Sequence, residues 1–190
     1  YKFDVEYSRE SILAGVRDRY VRDMVKKGIP DELVLAIDML RGWNLRADST
    51  NTSAALSILT LPNAFKIEDL KYDRDSVTEK LRETISYLNK QHGRIDVPLG
   101  RVIRLVRGNT TLPLSGGPGT LRAIYSKKEG KVYKAVAGDC YIQAVEWGPE
   151  GQLNAWSIHQ YGSATRDEHS PHFDDQSRLF SKHELKVIRP

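Results

Sequence analysis

Side chains able to do acid–base, nucleophilic or metal chemistry concentrate in the second half of the chain. The densest group is His169-Ser170-Pro171-His172-Phe173-Asp174-Asp175, with His159 ten residues upstream. Imidazoles and carboxylates are the donor types of transition-metal centres. Pro171 prevents a helix that would set two histidines on one face, and consecutive carboxylates after the second His match no common zinc spacing. Metal ligation, substrate contact and a loop held by its own side-chain hydrogen bonds all remain open. The expectation is the loop, without metal, with His172 as a buried polar wedge and Asp174, Asp175 and Gln176 bonding the irregular backbone.

Two further candidates share one strand face. Cys140, beside Asp139 and with His159 downstream, has the residue types of a thiol nucleophile with acid and base. Period-two alternation sets Cys140, Ile142 and Ala144 together, and that apolar company predicts a buried, structural cysteine. Glu146 joins the same face, where a carboxylate is costly unless paired with an arginine or put to use. Gly116-Gly117-Pro118-Gly119 lacks the Lys-Ser/Thr that closes a phosphate loop and precedes a strand instead of a helix, so it is predicted to be a turn. A lid, a buried crossing or a plain connection would each need such glycines.

The elements that must position these residues differ between the two halves. Ile12, Leu13, Val16, Tyr20, Met24 and Val25 recur at helical spacing between a Ser8 cap and Gly28. Pro30-Asp31-Glu32 opens a second helix, whose Leu33, Ile37 and Leu40 share a face until Gly42. A shorter helix over Asn51–Leu59 ends at Pro62. Ser76-x-x-Glu79 reads as a capping box for a fourth, with Val77, Leu81, Ile85 and Leu88 on one face and Gly93 as its stop. From about residue 95 the period becomes two: Val102–Val106, Leu121–Tyr125, Val132–Val136, Tyr141–Trp147 and Leu153–His159 are short β-branched or aromatic runs. Turns at Lys128–Lys131 and Pro149–Gln152 predict an antiparallel meander. The fold class is α+β, with a helical segment over 1–94 and a strand segment over 95–190.

Composition narrows the functional classes. A chain of 190 residues with 39% hydrophobic content can bury a real core, which excludes wholesale disorder. No run approaches a membrane span, and Tyr1-Lys2-Phe3-Asp4-Val5-Glu6 lacks a signal-peptide pattern. The formal net charge of +4 raises nucleic acid as a partner. The charges are mixed, however, and the lysines around Gly130 bracket a turn, so neither nucleic acid nor membrane is expected. A single cysteine excludes an internal disulfide and a Cys-rich zinc site.

Several ordered blocks then resemble one family. Leu40-Arg41-Gly42-Trp43-Asn44-x-Arg46-x-Asp48-Ser49 is similar to the L-x-x-W-(D/N)-x-R-x-D-S stretch of the penicillin acylase (penicillin amidase) family. Pro98–Val102 to Arg107-Gly108, Leu112–Leu121 and Gly138–Gly148 follow in the family's order. Tyr161-Gly162-Ser163-Ala164 to Ser170-Pro171-His172-Phe173-Asp174-Asp175-Gln176 resembles its Y-G-x-S/A … S-P-H-Y-x-D-Q element. Cys140 stands where the family usually shows Ser.

The resemblance implies the carboxyl-terminal part of the large (beta) chain of an N-terminal-nucleophile (Ntn) hydrolase with αββα architecture. The nearest branch is that of the cephalosporin, aculeacin and acyl-homoserine-lactone acylases, with activity on antibiotic side chains or related acyl amides. In that family a new amino-terminal Ser attacks the amide, its own α-amine serving as base. The Ser, its supporting His and the oxyanion-hole Asn lie before the region matched, and Tyr1 has no aliphatic hydroxyl to substitute. The segment is therefore expected to be inactive alone. The resemblance assigns Glu146 as the acid that orients a catalytic His outside this chain. It implies no cofactor and no metal. The partners would be the small chain and the rest of the large chain, with a small acyl amide as substrate and a periplasmic or secreted location. The competing class is an independent, non-catalytic binding module.

Overall fold

A computed structural model describes residues 12–61, 72–120 and 122–188. Among the described residues a helical layer comes first: α1 (Ile12–Lys27), α2 (Val34–Gly42) after a 3-10 turn at Asp31–Leu33, α3 (Ala54–Thr60) and α4 (Arg74–His92). The helical spacing of apolar residues is the physical reason for the layer. Leu13, Val16, Tyr20 and Met24 of α1, Ile37 and Leu40 of α2, and Val77, Leu81 and Leu88 of α4 all enter one buried cluster. Each fully buried Leu contributes about 1.5–3 kcal/mol relative to exposure. Within this core the Tyr20 hydroxyl meets Thr78 Oγ1 at 3.0 Å, and Thr78 donates in turn to Arg74 O.

The start of α4 differs from the capping-box expectation. Asp73 is the N-cap and its carboxylate accepts from Ser76 N at 2.8 Å, so Ser76 sits within the first turn. An aspartate in extended backbone just ahead of the helix out-competes the serine, because an anion also faces the positive end of the helix dipole. Gly93 ends α4 at φ 74°, as expected of a left-handed stop. The Ser8 cap and the Pro62 stop lie outside the described residues.

The helical layer leads through α5 (Leu99–Val102) into β1 (Ile103–Arg107), β2 (Thr110–Pro113), β3 (Ile124–Glu129) and β4 (Val132–Gly138). These form one sheet in the order β2-β1-β4-β3. β5 (Tyr141–Trp147), β6 (Leu153–His159) and, after α6 (Ser177–Ser181), β7 (Lys186–Val187) form a second sheet in the order β5-β6-β7. The fold is thus α+β, helices first and mainly antiparallel strands after.

A single continuous meander is not what forms. β4 and β5 belong to different sheets, and β1 runs parallel to β4 through Ile103↔Tyr133 and Arg104↔Lys134. Gly138, at φ 128°, makes the break, and a Cβ there would collide with Ala123 O. The short β2, α5, α6 and β7 carry too few periodic residues to be visible in sequence. Leu121, the predicted start of the strand before the Lys128 turn, lies outside the described residues, and β3 begins at Ile124.

Candidate functional site

The first family-like block, Leu40–Ser49, wraps the end of α2 and meets two other blocks. Trp43 is buried and donates from Nε1 to Arg46 O at 2.9 Å, while Arg17 donates to Trp43 O at 2.7 Å. Ser49 N donates to Ser115 Oγ at 2.8 Å, Gly116 N to Ala47 O at 2.6 Å, and Gly100 N to Ser49 O at 2.8 Å. Blocks about fifty to seventy residues apart thus join as backbone-level crossings. A Cβ on Gly100 would fall 2.7 Å from Pro113 Cβ, and one on Gly116 would strike Arg122 O. The Gly116–Gly119 tract is a turn as expected, specifically a buried crossing packed on Ile58 of α3.

A second junction holds the His169–Gln176 element. The Arg107 guanidinium lies 3.7 Å from the Phe173 ring centroid and 4.7 Å from that of Tyr161. It donates to Phe173 O, Ala164 O and Thr165 O at 3.3, 3.2 and 2.9 Å. Thr110 Oγ1 donates to Asp174 Oδ2, Gln176 Oε1 accepts from His159 N at 3.0 Å, and Ser177 Oγ donates to Gln160 O at 2.9 Å. Side-chain hydrogen bonds fix the loop, as expected, but the main donors, Arg107 and Thr110, come from β1 and β2. His172 is not the buried wedge: its side chain is exposed and pairs with Asp175 Oδ2 at 2.9 Å. Phe173, one residue on, fills that place, because an aromatic ring gains burial and a cation–π contact where an imidazole would lose solvation. No group of three or more His, Cys, Asp or Glu poised for a metal occurs among the described residues.

Cys140 and Glu146 depart from expectation in the same way. Both are exposed, as is nearly all of β5, whose two faces are open apart from half-buried Ile142. The alternation does form a strand, but its apolar face has no cover among the described residues. No hydrogen bond or ion pair engages Glu146 among the described residues; it stands opposite Asn154 in the β5–β6 register. The same sheet exposes Trp147 at 72%, Leu153 at 62% and Val187 at 61%. His159 faces Tyr141 in register, their rings 5.9 Å apart. No hydrogen bond joins it to the Cys140 thiol among the described residues.

Where the two sheets part, a cavity of about 190 Å³ is lined by Leu105, Leu114, Asp139, Cys140, Tyr161 and Phe180. Burial pushes the Asp139 carboxyl above its ordinary value, opposed by the nearby Arg122 guanidinium. Arg122 is itself fully buried, stacked 4.1 Å from the Phe180 ring centroid and donating to Phe180 O at 3.2 Å. Sequence reasoning missed Arg107, Arg122 and Asp139 as organising residues. The available signal was a charged residue inside or at the end of an apolar run, which costs too much unless something meets it.

Among the described residues the geometry therefore contains two structural junctions built from the family-like blocks and a sheet whose β5 strand is exposed and carries Glu146 with no partner. The description "penicillin amidase" belongs to a family model that matches residues 2–189, nearly the full chain, and the chain belongs to that family of acylase-like amidohydrolases.

Proposed function

We propose that this chain is the carboxyl-terminal segment of the large chain of a penicillin-acylase-like enzyme, and that it is inactive alone. The whole enzyme hydrolyses the amide bond of N-acyl compounds, nearest in kind to the cephalosporin, aculeacin and acyl-homoserine-lactone acylases. The observation that carries this reading is the β5-β6-β7 sheet, where Tyr141, Val145, Trp147, Leu153 and Val187 are exposed and Glu146 has no hydrogen bond or ion pair among the described residues. Exposed apolar side chains grouped on one sheet mark a surface for another layer. The remainder of the acylase supplies that layer in an αββα sandwich, together with the amino-terminal Ser that attacks the amide and the α-amine that takes its proton.

Glu146 then becomes a positioning residue. Once covered, its carboxylate accepts from the imidazole of the supporting His, holding the ring in one tautomer and orientation. The location is periplasmic or secreted, and nucleic acid is no partner.

Co-expression of this segment with the rest of its acylase, assayed on penicillin G, glutaryl-amide and acyl-homoserine-lactone substrates, tests the reading. The complex turns over at least one of them and the segment alone none. Glu146→Gln lowers kcat about 10–100-fold and alters the pH profile without weakening assembly. Turnover by the isolated segment overturns the inactive-fragment reading. An unchanged kcat and pH profile in Glu146→Gln removes Glu146 from the mechanism, and failure of any acylase chain to associate favours an independent binding module.

A further inference from the structure

The β5–β6 hairpin fixes one cross-strand neighbour for Glu146. The pairing runs without a shift from Tyr141↔His159 to Trp147↔Leu153, and Glu146 stands directly opposite Asn154. The turn pins that register one residue beyond the strand ends: Gly148 N donates to Gln152 O at 2.8 Å and Gly151 N to Gly148 O at 3.0 Å. Opposed residues of an antiparallel pair share a face, with Cβ atoms about 4.5–5.5 Å apart, so an amide on one reaches a carboxylate on the other. Both side chains are exposed, and neither makes a hydrogen bond or ion pair among the described residues.

The other neighbours on that face compete little for the carboxylate. Ala144 precedes it on its own strand, and Gln152 and Trp156 lie on the diagonals. Gln152 is spent within the turn, its Nε2 donating to Glu150 Oε2 at 3.1 Å and its Oε1 accepting from Glu150 N at 3.3 Å. Trp156 is half-buried and has one N–H, on a rigid ring. Neither β5 nor β6 contains a lysine or arginine. Asn154, by contrast, brings two N–H donors and no charge.

On the acylase reading, on which this inference rests, another layer covers this face and one Glu146 oxygen accepts from the supporting His. A carboxylate taken out of water needs its second oxygen met as well, or its charge is costly. We propose that Asn154 is a second positioning residue, donating from Nδ2 to the Glu146 oxygen that the imidazole leaves free. That bond fixes the plane of the carboxylate, and a neutral amide does so without adding a cation to compete with the imidazole.

A double-mutant cycle in the acylase assembled from this segment and its remaining chains is the test. Asn154→Ala lowers kcat about tenfold with KM unchanged, Asn154→Gln recovers part of the loss, and Asn154→Ala added to Glu146→Gln costs nothing further. The melting temperature of the segment alone stays in place, since neither side chain is bonded there. A drop in kcat from Glu146→Gln with none from Asn154→Ala, or two losses that add in full, overturns the role of Asn154 and leaves the acylase reading standing. No effect of Glu146→Gln, or no turnover by the assembled chains, overturns both.

Discussion

β1 and β5 are both short strands that mix apolar with polar or charged residues, and they end in different environments. In β1, Ile103 and Leu105 are buried in the core; in β5, Tyr141, Val145 and Trp147 are exposed. Both strands pair in regular ladders, β1 with β2 and β5 with β6. The difference teaches that strand formation and strand burial are separate events. Alternating apolar residues favour the ladder, but burial needs a second surface: Ile103 and Leu105 find one in the shared core, as does Ile158 of β6, while β5 finds none among the described residues.

The comparison breaks most sharply on core truncation. Leu105→Ala should cost about 2–5 kcal/mol through lost burial and a residual cavity. Leu153→Ser, on the open sheet, should stay within about 0.5 kcal/mol. Urea unfolding at several protein concentrations measures both. A comparable loss from Leu153→Ser would mean that the second sheet is covered in solution.

Arg107 sharpens the comparison, because it ties β1 to the loop that follows the second sheet's β6. Removing it strips the Phe173 and Tyr161 rings of their cation and frees three backbone carbonyls. Arg107→Met should cost roughly 1–3 kcal/mol, and Arg107→Lys should recover little, since an ammonium cannot reproduce the planar fork. Thermal melts of the two variants decide it, and full recovery by Lys would reduce the junction to simple charge.

The smallest effects are the pH limbs of two carboxylates. Asp73 is held below its ordinary value chiefly by the Ser76 backbone N–H. Its contribution to stability is therefore present above the unfolded value, about pH 4, and lost as pH falls through the lowered folded value. Asp139, raised by burial, has the opposite sign: its contribution is present below about pH 4 and lost as pH rises through the raised folded value. Melting temperatures followed from acid to neutral pH should show a shallower acid limb in Asp73→Ala. Asp139→Asn should lose less stability on the way to neutrality than the parent chain. If Arg122 outweighs burial, Asp139→Asn will instead be the less stable at neutral pH.

Much of the candidate site was legible as residues and little of it as environment. That Asp174 and Gln176 form hydrogen bonds follows from their types beside Pro171, but their partners, Thr110 of β2 and the His159 N–H of β6, tie the loop to the strands and not to its own backbone. Exchanging His172 for Phe173 as the buried residue could not be read, because neighbours on a loop have no fixed period to say which points inward.

By itself the sequence determined the helical first half, the strands of the second, the family and the turn character of Gly116–Gly119. Each is encoded locally, in the spacing of apolar residues, in glycine's freedom, or in blocks of adjacent side chains. Only the tertiary structure decided the split into two sheets, the parallel β1–β4 pair, the capture of Phe173 and Tyr161 by Arg107, and the exposure of Cys140 and Glu146. Those depend on which surfaces meet across long separations, and a strand's own alternation says that one face prefers burial without saying what is there to bury it.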